Sequence, residues 1–218
     1  MTSPDQIASE TLRAENADCS LAVTLEFAVD ALHLRYQARN RGTLPIYLLN
    51  RLWNTIRRDS GTDGQVFETL PDLATVQVDS TEVVVSKSVV DVPYLMLVEV
   101  RQIPCMTRVA PGESYEETVR LPLPLMPYTV YERAASHGPS VSRSLRFELG
   151  YIQGSERVER MVEPVATPTD EAFYIDAFPA QDQGIIGVGP FQEAVPVINQ
   201  HITRPTKPAS TGEWTPWG

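Results

Sequence analysis

Three histidines, His33, His137 and His201, are the side chains in this 218-residue chain best suited to proton transfer or metal ligation. Their neighbours give them nothing to work with. His33 lies on the polar phase of an alternating stretch, His137 in a Ser/Gly/Pro loop and His201 in a proline-punctuated region. None has a Cys, Asp or Glu at metal-ligand spacing, and an imidazole becomes functional only beside a positioned partner. The run Asp59-Ser60-Gly61-Thr62-Asp63-Gly64 has the first, fifth and sixth residues of a calcium loop. It has no side chain at the third position, and Leu70 stands at the twelfth, where a bidentate Glu is required, so it reads as a polar turn. No GxSxG, HExxH or phosphate-binding glycine loop is present. The sequence therefore assigns no catalytic residue, no cofactor site and no metal site.

Other candidate features are structural or adhesive. Cys19 and Cys105 are the only cysteines; with no basic start and apolar stretch at the N-terminus to mark export, they read as free thiols of a cytoplasmic protein. Pro124 and Pro127 form a PxxP with Arg120 four residues before it. The residues between are apolar and the anchor is out of register, so a buried crossover is expected rather than a ligand motif. Trp214 and Trp217 flank Pro216 near the C-terminus, where two large aromatics favour docking on some surface, the chain's own or a neighbour's.

The elements that position these residues are strands. Leu32, Leu34, Tyr36 and Ala38 alternate with His33, Arg35, Gln37 and Arg39, the period of a half-buried strand. Asn40, Arg41 and Gly42 supply turn chemistry before a second apolar run, Ile46, Leu48 and Leu49, and the pair reads as a hairpin over 31–53. Leu21 to Val29 alternate too, with an apolar phase that shifts before Leu32 through either a tight turn between two strands or a bulge in one long strand; with Asp30 as the one turn former there, a bulged or bent strand is favoured. Residues 55–72 read as a loop. Residues 76–78 and 83–85 read as two short strands, and 94–100 as a central strand or a segment under a loop. The next strand, over Tyr115, Val119 and Leu121, has Glu117 inserted in its apolar phase. Leu145, Phe147, Leu149 and Tyr151 form the second unambiguous strand, with Phe147 and Leu149 expected inside.

Strands this short and regular, with no convincing amphipathic helix, predict an all-β, antiparallel immunoglobulin-like β-sandwich over 21–154. An N-terminal segment, 1–20, holds either a short helix over 4–14 or a frayed end. A Pro-rich extended arm, 155–218, carries small apolar clusters. A hydrophobic content of 42% is that of a globular protein, and a formal net charge of −10 argues against nucleic acid, whose binding rests on Lys and Arg. No apolar run is long enough for membrane insertion.

The order of these features, with Val109-Ala110-Pro111-Gly112-Glu113-Ser114 before a late strand, resembles bacterial immunoglobulin-like modules of the intracellular proteinase inhibitor type. The resemblance implies the sandwich fold and carries no functional residue. Function is expected to be that of a non-catalytic binding or assembly module, self-associating or held to a protein partner through the arm. The partner-binding residues would be Phe173, Ile175, Phe178, Ile185, Ile186, Phe191, Val195, Val197, Trp214 and Trp217. The alternatives are a protease inhibitor presenting 59–69 or 131–142 as its loop, and an enzyme with an acidic-residue site.

Overall fold

A computed structural model of the chain describes residues 9–58, 65–93, 96–98, 101–134 and 138–200. Among them the chain is all-β, in two sheets. The first contains β1 (Ser9–Glu15), β2 (Cys19–Phe27), β3 (Ala31–Asn40) and β10 (Ser114–Pro122), in the order β1-β2-β3-β10 with every pair antiparallel. Alternation decides its faces. Leu32, Leu34, Tyr36 and Ala38 are buried while Arg35, Gln37 and Arg39 point to solvent.

The N-terminal segment is corrected by this sheet. Residues 9–14 form a strand instead of the end of a short helix. Leu12 and Ala14, too few to hold a helix, pack on the core from an edge strand whose ladder bonds β2 supplies. The phase shift before Leu32 is also a turn and not a bulge: the Ala28 amide donates to the Ala31 carbonyl at 2.9 Å, leaving Val29 fully exposed.

The second sheet has eleven strands: β4 (Ile46–Arg51), β5 (Trp53–Arg58), β6 (Gln65–Thr69), β7 (Thr75–Val78), β8 (Glu82–Lys87), β9 (Cys105–Val109), β11 (Ser140–Gln153), β12 (Glu163–Ala166), β13 (Glu171–Tyr174), β14 (Gly184–Val188) and β15 (Val195–Ile198). β3 and β4 do not form the expected hairpin but belong to different sheets. Asn40 fixes the crossing by donating from Nδ2 to the Leu44 and Val109 carbonyls at 2.8 and 3.0 Å. Nor is the sheet wholly antiparallel, since β8 runs parallel to β11, and β12 touches β6 in parallel. The expected loop after Trp53 contains the β5–β6 hairpin. Residues 96–98 lie in no strand, and Leu97 is exposed.

The inward faces of the two sheets share one core, with Leu21, Val23, Leu25 and Leu34 from the first and Val83, Val85, Leu145 and Phe147 from the second. β4 is buried on both sides. Ile46 and Leu48 enter this core, whereas Tyr47 and Leu49 enter a second one with Met106, Ile152 and Ile175, covered by α1 (Glu156–Glu159) and the chain after it. Residues 163–198 are thus not an extended arm. β14 and β15 pair with β11, and β13 pairs with β9, because Pro-bounded segments of four or five residues suffice when a long strand already offers its ladder groups. The LPLPLMP stretch crosses as expected: Leu125 is buried and bridges Val197, and Tyr128 pairs with Val76.

Candidate functional site: a buried lysine and its polar cluster

Between the sheets, the apolar phase is broken on four strands at one level. Tyr36 of β3 follows Leu32 and Leu34 inward, and Glu117 stands directly opposite it on β10. Lys87 of β8 follows Val83 and Val85, and Asn50 of β4 follows Ile46 and Leu48. Side-chain alternation along each strand delivers all four to the interior.

Glu117 is the hub. Its Oε1 accepts from Lys87 Nζ at 2.9 Å, and its Oε2 accepts from Asn50 Nδ2 at 3.3 Å and from the Tyr36 hydroxyl. Lys87, whose side chain is 0% exposed, donates also to the Pro71 carbonyl at 2.8 Å. Among the described residues, Asn50 Oδ1 and Thr75 Oγ1 are buried without a hydrogen-bond partner. Such an orphan costs about 1–3 kcal/mol, so the cluster is not explained as a fully satisfied structural network.

Burial pushes the Lys87 ammonium pKa below its ordinary value, outweighing the attraction of Glu117. Burial and the adjacent Glu117 charge push Tyr36 well above the usual phenol range. Flanking the cluster, Arg51 Nε donates to Thr107 Oγ1 at 3.0 Å, and its two terminal nitrogens grip Asp170 at 2.5 and 2.9 Å. Arg51 is near enough to act electrostatically on both Lys87 and Glu117. The arrangement unites an amine held toward its neutral form, a carboxylate able to move a proton, and a carboxamide on the same carboxylate. Three surface clefts, including one of about 180 Å³ lined by Ser86, Ser88 and Gln183, include none of these four side chains.

The residues expected to bind a partner lie elsewhere. Ile186, Phe191, Val195 and Val197 are buried in the core between the sheets, and Ile175 is buried in the second core with Phe173 and Phe178 packed against it. Ile185 alone of those described is exposed. The buried and packed ones are occupied by their own chain: Phe173, Ile186, Val195 and Val197 lie on strands that pair with β9 or β11, and the Phe191 amide donates to the Leu145 carbonyl. Trp214 and Trp217 lie outside the described residues, as do His137, His201, 59–64 and 135–137. His33 is half-buried on the outer face of β3. Cys19 and Cys105 are free and buried in separate cores, and burial raises their thiols to about 11 and about 12.

Lys87, Asn50 and Tyr36 were not singled out as functional by sequence reasoning, although Glu117 was visible as a charge in an apolar phase. The same signal marks Lys87 after Val83 and Val85, and Asn50 after Ile46 and Leu48. No helix among the described residues is long and apolar enough to cross a membrane. No family model, curated protein or solved structure matches this chain.

Proposed function

We propose that the chain is a non-catalytic immunoglobulin-like β-sandwich module that attaches to a protein partner, and that the contact is made by β5, not by the C-terminal segment. The observation that carries this reading is the state of the sheet edges. β1 lies against β14, β7 exchanges backbone bonds with Tyr128 at 2.8 and 2.9 Å, and β10 has its Arg120 amide taken by Asp72 Oδ1 at 2.8 Å before ending at Pro122. β5 ends its sheet with residues 54–58 all exposed, and among the described residues no strand takes its outer edge. Such an edge is a template for strand addition.

Its occupant is an extended acidic segment of a partner protein. β5 presents Ile56 with Arg57 and Arg58; Arg57 pairs with Glu68 of its own hairpin, and Arg58 has no ion-pair partner among the described residues. The test is fluorescence anisotropy with a labelled peptide of alternating Val and Glu against the full chain. Saturable binding that weakens with salt and disappears in the Ile56→Glu/Arg58→Glu double variant supports the assignment. Absence of binding at micromolar concentration overturns it. So does a concentration-dependent dimer abolished by the same double variant, which would make the occupant a second copy.

A further inference from the structure

Lys87 and Asn50 come together through the geometry of β11. Lys87 stands opposite Leu149, and Leu48 opposite Tyr151. β14 pairs with residues 147–151 and so takes the other edge. β8 and β4 therefore follow one another along a single edge of β11, their C-terminal ends meeting where Lys87 and Asn50 turn inward, and the two strands are in contact. Lys87 Nζ and Asn50 Nδ2 then bind the two oxygens of one carboxylate, that of Glu117, at 2.9 and 3.3 Å.

We propose that this cluster is a self-modification site, in which Lys87 and Asn50 form an intramolecular isopeptide bond with Glu117 carrying the proton between them. Glu117 first takes a proton from the Lys87 ammonium, leaving a neutral amine and a carboxylic acid. The amine lone pair attacks Asn50 Cγ, forming the Nζ–Cγ bond. Glu117 gives its proton to the departing Nδ2 and accepts the one that Nζ loses. Breaking the Cγ–Nδ2 bond releases ammonia, and no oxidant or other co-reactant is needed.

Three features favour the reaction over a permanent ion pair. Burial holds Lys87 toward the nucleophilic, neutral amine. Positioning on a shared carboxylate removes the entropic barrier to bringing the groups together, which makes well-oriented intramolecular steps behave as if reactants were on the order of 10⁵–10⁸ M. The product also relieves what the unreacted cluster leaves unresolved. The buried charges are gone, and Asn50 Oδ1, which has no donor among the described residues, becomes the isopeptide carbonyl oxygen, able to accept from a protonated Glu117. The bond would tie β4 to β8 and close the stretch that carries the β5–β6 hairpin.

Mass spectrometry of the full chain in denaturant tests this. The expected mass is lower than that of the sequence by one ammonia. Trypsin should fail to cut after Lys87, and the digest should contain a branched peptide joining 42–51 to 59–101. Glu117→Gln and Lys87→Met should each restore the unmodified mass calculated for the variant. If either variant does not fold, the branched peptide of the unaltered chain decides the matter. Full sequence mass after prolonged warming, with normal cleavage after Lys87, overturns the proposal and leaves a buried ion pair. Loss of ammonia without the branched peptide also overturns it, since an asparagine can lose ammonia to its own backbone.

Discussion

Glu117 stands directly opposite Tyr36 in the β3–β10 ladder and accepts its hydroxyl hydrogen bond inside the core. The Tyr36 ring meanwhile stacks on Phe147 from the facing sheet, with centroids 5.3 Å apart. A single tyrosine therefore links the polar cluster to the apolar packing between the sheets. Tyr36→Phe keeps the ring and removes the donor, leaving a buried carboxylate short of one bond. It should cost about 1.5–3 kcal/mol, the range for hydrogen bonds to charged groups, read as a lower urea midpoint with an unchanged slope.

Phe147 is fully buried on β11, between its ladder partners Val85 and Val188. Both flanking strands and the stacked Tyr36 are held by other contacts, so the site collapses poorly when emptied. Phe147→Ala should cost about 3–5 kcal/mol in chemical denaturation. An unchanged midpoint would mean that β11 faces the other way.

Asp170 ties β4 to the segment between β12 and β13. Its bond to Arg51 is the main cause of a carboxyl pKa below the ordinary 3.8, with Thr167 adding to the effect. A folded-state value below the unfolded one means that the native chain binds fewer protons in that window. The stability contributed is fully present above 3.8 and is lost as pH falls through the folded-state value. Asp170→Asn should thus lower stability at neutral pH and flatten its decline in acid. Urea midpoints of both proteins measured from neutral pH into acid would check this; parallel curves would remove Arg51–Asp170 from the account.

The sequence by itself determined the all-β class and the faces of its most regular strands. Alternation puts Leu34, Tyr36, Phe147 and Leu149 inside and Arg35 outside, because side-chain direction along a strand is a local property of period two. Glu117 could be recognised as misplaced for the same reason. Tertiary structure decided which strands are neighbours. Asn40 and Gly42 mark a turn equally well whether the chain folds back into a hairpin or crosses to another sheet, and only the Asn40 bonds to Leu44 and Val109 choose the crossing. The prolines after Gly154 forbid long strands but say nothing of a waiting partner such as β11, whose length lets Ile186, Val195 and Val197 be buried at home. The cluster itself joins residues 36, 50, 87 and 117. No pattern within one strand encodes that meeting, since it follows from which edges β3, β4, β8 and β10 occupy once the two sheets close on one core.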